Sequence, residues 1–256
     1  MYRFSFISFG VARFLMALCV FFCHVFEDFN NFGFLFVSVF FFMSGYGMEF
    51  ASKRDSALTR LVPYLGYFLW FSFIYFLFFR VFPYPSSWFL IVYFLVMVLY
   101  RLFSNIYALA VAFVLLGVFF ITLEFNFVWY ASFWSFLFGV YFAKNPSSFT
   151  LRNSLCFLPV FFLIPYVGPV SLMAFLPLFS WLVLTFCSWN VFRRIAYLGR
   201  YSFHFYCVHC FLLGVFGVTW TLGGSPEFWG VLLAFSLSVF FSMFFKDYLF
   251  RYPNIK

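Results

Sequence analysis

The sequence predicts an all-α polytopic membrane protein of about ten transmembrane helices, with both termini in the cytoplasm and a central cavity. Three observations lead to this fold class. Of the 256 residues, 66% are hydrophobic and only 9% are charged, which leaves too few polar groups to cover a soluble domain. The apolar residues form runs of membrane-helix length. The basic residues collect in alternate loops between those runs.

Ten apolar segments have the length expected of a membrane helix. They cover residues 5–26, 33–50, 62–82, 88–103, 106–123, 128–143, 154–168, 170–189, 202–222 and 227–249. The polar breaks between them are short and rich in Gly, Pro, Asn and Ser, as expected of loops. Because no linker or change in composition separates two parts, we predict one domain over residues 1–256.

The basic residues give these segments a direction. When the segments alternate across a membrane, thirteen of the fifteen Lys and Arg residues fall on the side that holds both termini. The other two are Arg13, inside the first segment, and Arg80, at a helix end. This distribution is the positive-inside pattern, and it predicts cytoplasmic termini. The net charge of +8 is therefore explained by topology and does not indicate a nucleic-acid partner.

The first apolar segment contains two polar side chains, Arg13 and His24. A charged side chain at membrane depth costs about 3 kcal/mol or more unless it faces protein or water. Eleven residues at about 100° each return to the same helix face, about 16 Å along the axis. One face of this helix is thus predicted to carry a cation towards the cytoplasm and an imidazole towards the outside.

Each of these two residues admits two interpretations. His24 precedes Glu27 and Asp28, whose carboxylates are candidates to orient the imidazole as a general base; alternatively, His24 is an interfacial side chain bonded to a carbonyl group. Arg13 is a candidate to bind an anionic or carbonyl oxygen in a cavity; alternatively, it pairs inside the protein with Glu49 or with carbonyl groups of a broken helix.

The cysteines do not predict a disulfide or a metal site. All six lie in apolar runs, at positions 19, 23, 156, 187, 207 and 210, so disulfides are not expected. Cys207-Val-His-Cys210 has the spacing of a ligand pair, but one such pair with one His is incomplete as a zinc site. We therefore predict no metal and interpret these thiols as small buried side chains.

Two cytoplasmic loops are basic. The first contains Lys53, Arg54 and Arg60, and the second contains Arg193, Arg194 and Arg200. Such clusters orient a membrane protein, and they are equally suited to bind a phosphorylated cytoplasmic ligand. The sequence leaves both interpretations open.

Four stretches, in this order, match motifs of one known family. They are Arg13-x10-His24, VSVFFFMSGYGM at 37–48, RLVPYLGYFLW at 60–70, and YLGRYSFHFYCVHCFLL at 197–213. Together they resemble the integral-membrane acyltransferase-3 family, whose members often O-acetylate cell-surface glycans. Two positions depart from the family pattern. Ala57 stands where the first Arg of an Arg-x-x-Arg motif is common, and Ser38 stands where an acidic residue is often found.

The resemblance implies an O-acyltransferase (O-acetyltransferase) in a bacterial cytoplasmic membrane. It would transfer an acyl group, most often acetyl, from cytoplasmic acyl-CoA to a hydroxyl of an extracytoplasmic or lipid-linked sugar. Acyl-CoA would be a co-substrate, with no permanently bound cofactor, and a homo-oligomer is compatible with this assignment. His24 would be the general base. The residues implied to bind donor or substrate are Arg13, Lys53, Arg54, Arg60, Ser44, Tyr206 and His209.

Two other functions compete with this one. A transporter or flippase of an anionic or acylated metabolite would also need a cavity containing Arg13 and His24. Against it, the chain lacks two halves with matching broken helices. A non-catalytic member of the family is the third hypothesis, because Ala57 replaces an Arg and the chain is short.

Overall fold

The described part of the protein is entirely helical. The structure, a computed structural model, describes residues 4–26, 32–50, 55–80, 88–103, 105–123, 128–145, 169–216 and 227–249. Nine α-helices lie within these ranges: α1 Phe6–Val25, α2 Gly33–Phe50, α3 Asp55–Phe79, α4 Trp88–Leu102, α5 Ile106–Thr122, α6 Val128–Lys144, α7 Pro169–Cys187, α8 Ser202–Val215 and α9 Phe228–Phe244. A 3₁₀ segment, Asn190–Tyr201, leads into α8, and a π-helical turn, Phe245–Leu249, follows α9.

The nine helices correspond to nine of the ten predicted apolar segments. The tenth, residues 154–168, lies outside the described residues. The largest difference is at α3, which begins at Asp55 rather than at residue 62. Its added turns carry the polar residues that the sequence assigned to a loop, and hydropathy alone does not detect a helix that continues past its apolar part.

Local sequence explains where several helices begin. The Ser5 hydroxyl accepts a hydrogen bond from the Ser8 amide at 3.1 Å and caps α1. The Asn105 side chain accepts from the Tyr107 amide at 2.8 Å and caps α5. These caps satisfy amide groups that the first turn of a helix leaves without a partner. Both helices are thereby anchored at residues that the apolar pattern placed at their edges.

Helices α2 and α6 pack closely because glycines face each other's backbone. A Cβ atom on Gly45 would overlap the Phe136 carbonyl oxygen, and one on Gly139 would overlap that of Phe42. Small residues at a crossing let two helices approach more closely than any larger side chain permits. This pair forms the centre of the bundle, and α1, α5 and α7 pack around it.

Helix α1 is held in the same way against the 3₁₀ segment. A Cβ atom on Gly10 would overlap the Ala196 carbonyl oxygen, and one on Gly199 would overlap that of Gly10. Farther along, α1 packs on α8. Because of this close contact, the face of α1 that carries Gly10 and Ala17 is turned to the segment that leads into α8.

The buried apolar side chains form two clusters, and α1 contributes to both. Val11, Ala12 and Met16 pack with α2, α6 and α7. Ala17, Phe21 and other residues of the later turns of α1 belong to a second cluster, whose other members come from α2 to α6, α8 and α9. Helix α1 therefore takes part in both clusters, and the elements it packs on are α2, α7, α8 and the 3₁₀ segment.

The outer surface of the bundle is unusually apolar. Trp229, Phe228 and Leu115 are 75%, 73% and 66% exposed. By length and apolar composition, two helices are able to cross a membrane, Ile7–Val25 and Phe228–Asp247, and five shorter helices are also apolar. Exposed patches of this kind mark a membrane or protein contact rather than a water-facing surface. These features indicate that the protein associates with a membrane.

Candidate functional site

Two histidines from opposite ends of the chain meet in the bundle. His24 lies in the last turn of α1, and His209 lies in the middle of α8. Their ring centroids are 5.5 Å apart, with 36° between the ring planes. His209 is fully buried, and His24 is partly buried. His24, the imidazole that the sequence predicted to be functional, therefore contacts a second imidazole, that of His209. His209 belongs to the last of the four matching stretches.

The hydrogen bonds of His209 define how its ring is oriented. Its Nδ1 atom lies 2.9 Å from the Phe205 carbonyl oxygen. A carbonyl oxygen only accepts, so Nδ1 carries the hydrogen and Nε2 of the neutral ring presents a lone pair. The Cys210 sulfur lies 3.2 Å from Nε2, in place to donate its S–H there. One donor atom each of His24, His209 and Cys210 lie within 4.8 Å of one another.

Aromatic rings enclose this group of donors. Phe205 stacks on His209 at 5.5 Å, and Tyr206 meets it edge-on at 5.5 Å. Phe21, one turn before His24, lies 5.9 Å from the same ring. These rings cover the buried His209 ring, where electrostatic interactions and hydrogen bonds are stronger than in bulk water.

Arg13 lies on the same continuous helix as His24. Since α1 is unbroken from Phe6 to Val25, both side chains share one face and lie about 16 Å apart along the axis. The guanidinium group is partly buried, and it forms no hydrogen bond or ion pair with any residue in the described ranges. Its partner is not Glu49, which accepts from Tyr100 at 2.6 Å and lies 3.4 Å from the Lys144 ammonium group.

A small cavity lies between the levels of Arg13 and His24 on α1. Its volume is about 50 Å³. It is lined by residues of α1, the 3₁₀ segment, α8 and α9: Phe14, Ala17, Leu18, Leu198, Tyr201, Ser202, Phe205, Val239, Ser242 and Met243. Sites for small organic ligands are usually about 300 Å³ or larger. The cavity is therefore too small for an acyl thioester, and a route that joins the cytoplasmic loops to His24 stays a prediction.

A second buried histidine of α8 has a structural role. Its neighbour on α3, Tyr67, places its hydroxyl in hydrogen-bond contact with Nε2 of His204, and the two rings meet edge-on at 5.0 Å. Both side chains are buried. The contact connects α3 to α8, one turn before the part of α8 that carries His209.

Three polar side chains, those of Arg200, Tyr201 and Asp247, form a cluster at the start of α8. Tyr201 donates to the Asp247 carboxylate at 2.9 Å, and Arg200 bonds to the Tyr201 hydroxyl and lies 3.9 Å from the same carboxylate. Burial raises the pKa of Tyr201, Arg200 opposes this shift, and the Asp247 carboxylate adds to it. The phenol therefore stays protonated at neutral pH and connects α8 to the end of α9.

The structure describes only some of the remaining predicted site residues. Ser44 donates to the Phe40 carbonyl of its own helix at 2.8 Å. Arg60 lies in α3, and its side chain is not among those described. Lys53, Arg54, Glu27 and Asp28 lie outside the described residues. Tyr206, by contrast, does contact His209.

Two features were not predicted from the sequence. Cys210 was interpreted as a buried thiol, yet it bonds to His209. The Tyr67–His204 contact was not predicted either. The signal for Cys210 was its position next to His209. No signal pairs Tyr67 with His204, because nothing in the apolar pattern says which helices are neighbours.

The chain was compared with known proteins. A scan against models of known protein families found no match, and searches of the curated proteins and of the solved structures found none either.

Proposed function

We propose that the protein is a membrane-embedded O-acyltransferase that moves an acyl group, most simply acetyl, from acyl-CoA to a sugar hydroxyl. One observation supports this most strongly. His24 and His209, from the first and last of the stretches that resemble the acyltransferase-3 family, lie with their rings 5.5 Å apart. Residues that resemble motifs of one family and are far apart in sequence are expected to meet if the motifs build one site.

In this proposal His24 is the general base. A nitrogen of the neutral His24 ring takes the proton of the sugar hydroxyl as its oxygen attacks the thioester carbonyl carbon. The new C–O bond forms, the C–S bond breaks, and the CoA thiolate takes the proton from the imidazolium. His209 and Tyr206 line the site, and the Phe205 carbonyl fixes the His209 ring.

Arg13 has a separate role in the proposal. Arg13 is partly buried and has no protein partner in the described ranges, so its guanidinium group is suited to donate hydrogen bonds to a carbonyl or anionic oxygen of the donor. The cavity of about 50 Å³, which Phe14 and Ala17 of the same helix line, has to widen before a pantetheine arm passes, which requires α1, α8 and α9 to separate. The basic residues 53, 54 and 60 would bind the CoA phosphates.

The proposed orientation follows the charges. Ten spans with both termini in the cytoplasm place the basic loops on the side of acyl-CoA and the His24 end of α1 on the side of the glycan. The exposed aromatic and aliphatic side chains would face lipid. The proposed location is a bacterial cytoplasmic membrane.

The first test is acetylation of surface glycan in cells that carry the His24→Ala variant. General-base removal is expected to lower the rate by roughly 100-fold or more. His204→Gln is the matched control, because it also changes a buried histidine, in α8, but leaves the His24–His209 pair in place. Loss of acetylation in His24→Ala but not in His204→Gln, at equal membrane abundance, supports the proposal. Normal acetylation in His24→Ala would overturn it.

A further inference from the structure

We propose that His24, His209 and Cys210 form a binding site for a zinc-type cation. This inference does not rest on the proposed acyl transfer, because it concerns only which donor atoms the fold brings together. The sequence contains an incomplete ligand pattern, Cys207-Val-His-Cys210. The structure completes it from α1: one donor atom each of His24, His209 and Cys210 lie within 4.8 Å of one another.

The distances are close to those that a metal requires. Zinc binds His nitrogen at about 2.0–2.1 Å and Cys sulfur at about 2.3 Å, so two ligands of a tetrahedral site lie about 3.5 Å apart. The Cys210 sulfur and Nε2 of His209 are already 3.2 Å apart. The widest pair therefore has to close by roughly 1 Å on binding, and both His24 and Cys210 are only partly buried.

The orientation of His209 is that of a metal ligand. Its Nδ1–H donates to the Phe205 carbonyl oxygen at 2.9 Å, which leaves the Nε2 lone pair directed to Cys210. Metal-binding histidines usually donate their other ring N–H to a carbonyl or carboxylate, and this bond fixes both tautomer and ring angle. The Phe205 carbonyl supplies that second bond before any metal arrives.

The donor set selects the class of cation. Two imidazole nitrogens and one thiolate suit zinc and its spectroscopic substitute cobalt, whereas calcium and magnesium prefer oxygen ligands. Three protein ligands leave a fourth position for water or another ligand. Binding requires the Cys210 thiol to lose its proton, so affinity is expected to rise with pH.

The experiment uses the purified full-length protein in detergent, loaded with Co²⁺ and then with Zn²⁺. We expect about one equivalent of bound Co²⁺, with a thiolate-to-cobalt charge-transfer band that Zn²⁺ removes by displacement. Cys210→Ser should lose the band, and His24→Ala and His209→Ala should lower affinity at least tenfold. Cys207→Ser is the matched control and should keep the band, because its thiol lies outside the three-ligand group.

Two outcomes would overturn the site. The first is wild-type protein that binds no more Co²⁺ than the His24→Ala/His209→Ala/Cys210→Ser variant. The second is a charge-transfer band that disappears in Cys207→Ser and persists in Cys210→Ser. Neither outcome depends on acyl transfer, so failure of the metal site and failure of the proposed enzyme are distinguishable. Co²⁺ binding is measured only on variants that still elute as a folded species in size-exclusion chromatography. A variant that misfolds is therefore not counted as evidence for or against the metal site.

Discussion

The rings of His24 and His209 lie 5.5 Å apart, although the two residues come from the first helix and from one of the last. Nearer the start of α1, Gly10 and Gly199 leave room for each other's backbone, so α1 packs closely on the segment that leads into α8. The same helix also packs on α8 itself. The close crossing and the histidine contact therefore lie along the same pair of neighbouring elements.

Substitutions of Arg13 test whether a charged residue within an apolar helix serves function or stability. No residue in the described ranges pairs with its guanidinium group, and a buried charge is costly. Arg13→Met is therefore expected to leave the thermal unfolding midpoint in detergent unchanged or raised, while acyl transfer falls at least tenfold. A lower midpoint with normal transfer would instead assign Arg13 a structural role. Arg13→Lys keeps the charge and tests whether the guanidinium fork is needed.

Two glycines of α2 test the close helix crossing. Gly45→Ala places a methyl group against the Phe136 carbonyl oxygen, whereas nothing lies within 4 Å of a methyl group at Gly47. Overpacking is expected to destabilise Gly45→Ala by about 1–3 kcal/mol. Gly47→Ala should be neutral or stabilising by up to about 1 kcal/mol, since Ala favours a helix. Equal unfolding midpoints for the two variants would contradict the crossing.

The Tyr67–His204 hydrogen bond should contribute to stability. Tyr67→Phe removes the hydroxyl that contacts buried His204 and is expected to cost about 1–3 kcal/mol, because a buried polar group then loses a partner. Tyr107→Phe is the matched control, since Tyr107 is 78% exposed. The thermal unfolding midpoints of the two variants provide the comparison. A cost as small as that of the control would show that the contact does not hold α3 to α8.

The sequence predicted the helices better than it predicted their neighbours. Apolar runs set the extent of α2 and α5, because hydropathy is a property of single segments. The common face of Arg13 and His24 follows from helix geometry, and the continuity of α1 confirms that the geometry applies. The pairing of His24 with His209 is a tertiary contact, so no periodicity within one helix contains it. Cys210 was interpreted only as a small buried thiol, because the third member of its group, His24, comes from α1.

Zinc should inhibit the proposed acyl transfer. A metal bound to His24 occupies the lone pair that would accept the hydroxyl proton, so added Zn²⁺ is expected to lower the rate, and a chelator should restore it. Cys210→Ser should be at least tenfold less sensitive to Zn²⁺, while Cys207→Ser should respond as the wild type does. The initial rate at rising Zn²⁺ concentration measures this. A rate that Zn²⁺ leaves unchanged in protein with bound metal would contradict the role of His24 as the base.

The most direct measurement of the central claim is transfer of labelled acetyl from acetyl-CoA to a glycan acceptor by purified protein in sealed vesicles. The donor is supplied on the side of the basic loops, and the acceptor is supplied on the other side. The proposed function predicts label in the glycan with wild-type protein and with His204→Gln. With His24→Ala, it predicts that the rate of labelling falls by roughly 100-fold or more. Equal labelling by wild type and His24→Ala, at equal amounts of folded protein, would contradict it.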